Sequence, residues 1–276
     1  MNIKPDMTTD GVLTADTHLI QSFADLNLLT QDGARTGITR AQGTMVLDSE
    51  GNELIDGIGG LWCVNVGHGR KEIIDAITQQ LQELHFYSTI YNFTHPAAAA
   101  LAEKIASLAP GHLNKVYFGN SGSVANDSAV RILHHYNNRL GRPNKKKILS
   151  RMGAYHGSTH LAIAMTTPAY SEGWDHAEGL VHHLKAPHYW REGEGMTEAE
   201  FCDLLVQDLK DTIEVQGAEN IAAFIAEPIQ GAGGGKIPPA TYWPEIARIC
   251  EKYGILLCLD EVISGFGRTG EWFAAD

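Results

Sequence analysis

The chain has 276 residues, 43% hydrophobic and 20% charged, a composition that can bury a globular core. Its 33 acidic residues outnumber 21 basic ones, for a net charge of −12. That balance argues against a nucleic-acid-binding surface, which needs a basic stripe, and supplies no polybasic membrane anchor, although one cationic pocket for a phosphate stays open.

Domain-size priors allow one large domain or two smaller ones. The cysteines, Cys63, Cys202, Cys250 and Cys258, never fall at C-x-x-C spacing, so reduced thiols of a cytoplasmic protein are expected. The opening MNIKPDMTTDG has no apolar segment and does not read as a secretory signal. Apolar runs such as Ile221–Ala226 are strand-sized, too short to span a bilayer.

Residues 1 to about 16 read as a polar, patternless leader. TMVLDSEGNELIDG (44–57) predicts a hairpin around the turn residues Asp48 to Asn52. A helix is predicted over 70–85, where Ile73, Ile74, Ile77, Leu81 and Leu84 recur at helical spacing. Another is predicted over 97–108, with Pro96 at its first turn. Strands and helices then alternate: strands at 115–119, 147–150, 221–227 and 255–260, and helices at 123–139, 197–214 and 243–253, with a possible helix start after Gly157. Residues 171–196 read as a long surface excursion. Near-continuous apolar strands between helices predict an α/β fold with a mainly parallel sheet sandwiched by helices.

Several strand ends carry chemistry. In YFGNSGSVANDSAVRI (117–132) a Ser/Gly turn opens a helix. The backbone N–H groups of Gly122, Ser123 and Val124 can converge there on an anion, typically phosphate. The plainer alternative is an ordinary cap by Ser121 or Ser123. GAYHGST (153–159) puts Tyr155 and His156 at a strand's carboxyl end, where open α/β sheets bind ligands; a surface-packed tyrosine is the competing reading. FIAEPIQGAGGGKIPP places Glu227 at another strand end. It is not a phosphate-binding P-loop, because Gln230 stands where the first glycine belongs and Ile237 where Ser or Thr should hold magnesium. Asp260 ends a run of five apolar residues. It is either a structural turn cap or the carboxylate partner of a protonated ring nitrogen on a cofactor. GFGRTG (265–270) matches a dinucleotide fingerprint, but the chain ends before the acidic residue expected about 20 positions on. No G-x-S-x-G, H-E-x-x-H or C-x-x-C is present, so serine hydrolysis and a zinc site are not expected.

The order of the motifs is more specific than any one of them. GLWCVNVGHG (60–69), NSGSVAND (120–127), YHGST (155–159), AEPIQGAGG (226–234) and LDEVISGFGRTGEWF (259–273) together resemble class III (omega) aminotransferases, fold-type I enzymes that use pyridoxal 5′-phosphate. The likeness runs from about Thr39 onward and leans toward the amine:pyruvate or putrescine:pyruvate branch. It implies that residues 1–60 contribute to a small domain and 61–276 form part of the large cofactor-binding domain. It implies that Gly122 and Ser123 bind the cofactor phosphate, Tyr155 and Val262 cover the two ring faces, Asp260 pairs with the ring nitrogen, Glu227 lies beside the ring, and Trp62 lines the substrate pocket. The implied reaction moves an amino group from an amine to a keto acid such as pyruvate. The implied assembly is a cytoplasmic homodimer in which residues 85–96 approach the neighbour's site. An aminomutase or decarboxylase on the same scaffold is an alternative, as is a non-catalytic pyridoxal-phosphate-binding fragment.

Two departures from the family pattern stand out. Val124 replaces the usual glutamate, which would complete a capping box. No lysine follows Asp260, so the family's Schiff-base lysine is absent from these 276 residues. The chain is therefore expected to be an N-terminal fragment, incomplete at the C-terminus, with no catalytic residue of its own and inactive alone. Lys236, in a Gly-rich loop, and Lys252, on a helix exterior, are not expected to substitute.

Overall fold

The computed structural model describes residues 18–31 and 35–275, so the polar leader lies outside the described residues. Contacts divide the chain into two units, Met1–His95 and Pro96–Asp276. The segment border expected at 60/61 concerns family domains and is a different division.

The first unit contains an antiparallel sheet of β1 (Ile38–Gln42), β2 (Met45–Asp48) and β3 (Glu53–Ile55). Met45 pairs with Ile55 and Leu47 with Glu53, the hairpin expected over 44–57. Its turn is held by the Asp48 carboxylate, which accepts from the N–H groups of Glu50 at 2.9 Å and Asn52 at 2.8 Å. Such local bonding is why Asp favours turns. Helix α1 (Lys71–Glu83) follows, with the apolar stripe read from the sequence but with all of its side chains at least partly in solvent.

The second unit is built on a parallel sheet ordered β5-β4-β6-β7, where β4 is Lys147–Arg151, β5 Val181–Leu184, β6 Ile221–Ala226 and β7 Leu256–Leu259. Helices α2 (Pro96–Leu108), α3 (Gly122–Arg139), α4 (Glu198–Gln216) and α5 (Tyr242–Lys252) belong to the same unit. Every residue of β6 is buried, because side chains from both of its faces meet apolar partners. Phe224 and Ala226 pack with Leu205 and Leu209 of α4 and Ile246 of α5. Ala223 and Ile225 pack with Val130 and Leu133 of α3 and with Met165. Each fully buried Leu, Ile or Phe contributes about 1.5–3 kcal/mol, so these two layers dominate the unit's stability.

Two expectations need correction. Residues 115–119 form no strand, and Tyr117 and Phe118 are exposed. An alternating pattern makes a strand only where a neighbour takes its backbone hydrogen bonds. Conversely, the excursion 171–196 contains β5, which pairs in parallel with β4 from Ile148↔Val181 to Arg151↔Leu184. Its core, Val-His-His-Leu, hides the strand from an apolar pattern. His183 is nevertheless half-buried, with Nε2 3.1 Å from the Thr166 carbonyl.

Candidate active site

The parallel strands fix where chemistry can gather. β4, β6 and β7 all deliver their carboxyl ends to the same edge, so Arg151, Glu227 and Asp260 emerge together. The start of α3 meets that edge. Ser121 is extended and caps the helix, its Oγ accepting from the Val124 N–H at 3.2 Å. The N–H groups of Gly122 and Ser123 make no hydrogen bond among the described residues. The helix therefore begins with donors available to an anion and with its positive dipole end behind them.

The loop after β4 is fitted onto this helix start. Ser123 Oγ accepts from the Ser158 N–H at 3.1 Å, which leaves its hydroxyl proton to donate elsewhere. Asp127 Oδ1 accepts from Thr159 Oγ1 at 2.7 Å and from the Ala162 N–H at 2.8 Å. Gly157 has φ +125°, and a Cβ there would overlap the Ser123 hydroxyl. Only glycine lets loop and helix approach this closely. A Cβ on Gly122 would lie 3.0 Å from Val262 Cγ2, so the turn after β7 closes on the same helix start.

Asp260 is 8% exposed. Its Oδ2 accepts from His156 Nδ1 at 2.8 Å and from Asn126 Nδ2 at 2.9 Å, and its Oδ1 accepts from the Val262 N–H at 3.1 Å. Burial alone would raise its pKa. The hydrogen bond and charge of His156, with the Asn126 and Val262 bonds, outweigh burial and hold the carboxyl below its usual value. Glu227, 3% exposed, goes the other way. Burial and the nearby Asp260 charge push its pKa up against the opposing effects of His156 and the N–H groups of Gly231 and Tyr155. Those N–H groups lie 2.8 Å from Oε2 and 3.2 Å from Oε1. The fully buried Arg151 donates through Nη2 to the Glu227 carbonyl, and its guanidinium lies 5.2 Å from the Trp243 ring centre.

Tyr155 is half-buried and meets Tyr170 edge-on at 5.7 Å. Val262 is largely exposed beside the helix start. Gly122, Ser123, Tyr155, Glu227, Asp260 and Val262 are thus linked in one continuous set of contacts. Trp62 belongs to the first unit. It ends a left-handed run in which Gly60, Leu61 and Trp62 have φ of +60°, +69° and +61°. Consecutive non-glycine residues in that region are strained, which marks the segment as one the fold holds deliberately. Sequence reasoning noticed His156 but gave it no role, and it missed Asn126. The one available signal was their place in the same strand-end and helix-start motifs.

This donor set fits a phosphorylated, protonated heteroaromatic ring. Free N–H groups and a serine hydroxyl suit the phosphate, a buried ionised carboxylate suits the ring cation, and an aromatic and a branched alkyl side chain stand nearby. Among the described residues no cluster of metal-ligating side chains occurs, and no helix is long and apolar enough to cross a membrane.

Comparison with known proteins agrees with this reading. A putrescine–pyruvate aminotransferase of Pseudomonas aeruginosa is 46% identical over 265 residues, 95% of this chain and 58% of that protein. A diaminobutyrate–2-oxoglutarate transaminase of Halomonas elongata is 44% identical over 265 residues, 95% of this chain and 55% of that protein. The crystal structure of an (S)-enantioselective omega-transaminase from Thermomicrobium roseum superposes with a TM-score of 0.93 at 43% identity, covering 97% of this chain and 60% of that one. The chain therefore spans a little over half the length of these relatives. Aminotransferase class-III matches residues 30–276, and the fold is the type I fold of pyridoxal-phosphate enzymes. The chain belongs to the class-III aminotransferase family.

Proposed function

We propose that this chain forms the cofactor-holding part of a pyridoxal-phosphate-dependent aminotransferase that moves an amino group from an amine to a keto acid such as pyruvate. The observation that carries the reading is the ionised, buried Asp260 beside a helix start with two free N–H groups. Bound pyridoxal phosphate would supply an electron sink for the carbon that loses its proton. Gly122 and Ser123 donate to its phosphate. Asp260 keeps the ring nitrogen protonated by charge pairing, Tyr155 and Val262 cover the ring, and Glu227 lines its edge. Trp62 borders the amine. Identity to a putrescine–pyruvate aminotransferase favours a diamine or similar omega-amine as donor.

A homodimer is the proposed assembly, supported by the exposed Phe86, Tyr87, Tyr91 and Phe93 of residues 85–96. The four unpaired cysteines support a reducing, cytoplasmic setting. Calorimetric titration with pyridoxamine 5′-phosphate tests the cofactor reading. Wild type is expected to bind saturably and Asp260→Ala at least about tenfold more weakly, a loss of about 1.4 kcal/mol. No binding by wild type, or equal binding by the variant, overturns it.

A further inference from the structure

We infer that His156 and Asn126 are positioning residues that saturate Oδ2 of Asp260 and so leave Oδ1 as the oxygen that meets the cofactor's ring nitrogen; this rests on the cofactor reading above. The bonds divide unevenly between the two oxygens. Oδ2 takes donors from His156 at 2.8 Å and Asn126 at 2.9 Å, whereas Oδ1 takes only the Val262 N–H at 3.1 Å. A carboxylate oxygen accommodates about two donors, so only Oδ1 has room for a third party.

The arrangement is braced on every side. One amide group of Asn126 donates both to the Asp260 carboxylate and, at 2.8 Å, to the His156 carbonyl. The His156 N–H is held by Thr166 Oγ1 at 2.9 Å. A single side chain on α3 thereby fixes the carboxylate and its imidazole partner relative to each other.

The histidine is not explained as core filling. The side chains of His156 and Asp260 are 0% and 5% exposed. His156 Nε2 is buried without a hydrogen-bond partner among the described residues. Burying an imidazole with one nitrogen unpaired is unfavourable unless the other makes a valuable bond. That bond is to Asp260, and because a carboxylate only accepts, Nδ1 must carry the proton.

The other titratable groups that act on this pair are Glu227 at the end of β6 and His183, with His182 beside it, on β5. Burial and the Asp260 charge raise the Glu227 pKa, whereas the donors on Oδ2, with the Val262 N–H on Oδ1, hold that of Asp260 down.

The experiment compares His156→Phe, His156→Gln and wild type in the 276-residue chain, with pyridoxamine 5′-phosphate as probe from pH 8 to pH 5. The readout is the ratio of variant to wild-type affinity, in which the probe's own titration cancels. For His156→Phe the ratio is expected to fall by about fivefold or more as the pH drops, because Asp260 without that donor takes up a proton more readily than in wild type. Glutamine can still donate to Oδ2, so His156→Gln should hold the ratio within about twofold across the same window. A ratio independent of pH, or a glutamine variant that behaves like phenylalanine, overturns the inference.

A second measurement needs neither variant nor probe. The ¹⁵N–¹H spectrum of histidine-labelled wild type is expected to show a downfield, hydrogen-bonded proton on Nδ1 of His156, and a proton on Nε2 alone refutes the pairing. Absence of any probe binding by wild type sinks the cofactor reading while this spectrum still decides the pair.

Discussion

Helices α1 and α4 carry the same kind of apolar stripe and meet opposite fates. On α4, Phe201, Leu205, Leu209 and Ile213 are at most 4% exposed, locked against β6 and α5. On α1, Ile73, Ile74, Ile77 and Leu81 are 45–56% exposed. The ends differ too. Thr197 and Glu200 form a complete capping box on α4, whereas Arg70 provides no side-chain cap for α1. Periodicity therefore specifies that a stripe exists, while its energetic value depends on a surface to receive it.

The contrast is breakable by mutation. Leu209→Ala should destabilise the chain by about 2–5 kcal/mol in urea denaturation, the range for emptying a fully buried site. Next comes the site itself. Asp260→Ala removes hydrogen bonds to a buried charge and should cost about 1.5–3 kcal/mol at pH 7. The sign of its pH dependence follows from the lowered folded pKa. The stabilisation is present above the unfolded value of about 3.8 and is lost as pH falls through the folded one, so the gap to wild type should close in strong acid. Glu227, with its raised pKa, has the opposite sign. Its contribution is full below the unfolded value of about 4.5 and is lost as pH rises through the folded value, so Glu227→Gln should remove the decline in stability between those two values.

Smaller effects follow at the helix ends. Thr197→Ala dismantles the α4 capping box and should cost about 1 kcal/mol. Val124→Glu places an acid at the third helical position behind the Ser121 cap and should add about 0.3–1 kcal/mol, read as a higher melting temperature. Smallest of all, Ile77→Gln should change stability by less than about 0.5 kcal/mol, as for other exposed sites. A loss as large as that for Leu209→Ala would mean that the α1 stripe is covered in solution.

Legibility in the sequence follows the same division. β6, β7, α4 and α5 were readable to within a residue or two, because both strands are apolar runs, although only β6 is buried throughout, and the helices are strongly periodic. Both carboxylates were legible as strand-end acids. β5 was not, since paired histidines replace the apolar residues expected of a strand. Residues 115–119 misled for the converse reason, an apolar pattern without a strand partner. The His156–Asp260 bond joins residues 104 positions apart, and only the alignment of β4, β6 and β7 brings them together. Asn126 looked like an ordinary polar helix residue, because its two acceptors lie on other segments.

The central claim is that one end of the parallel sheet grips a phosphorylated pyridine ring. A crystal structure of the chain with pyridoxamine 5′-phosphate tests it most directly. The account predicts the phosphate on the N–H groups of Gly122 and Ser123, and the ring nitrogen within hydrogen-bonding distance of Oδ1 of Asp260. Density for the ligand at another place, or a ring whose nitrogen leaves Asp260 untouched, would contradict it.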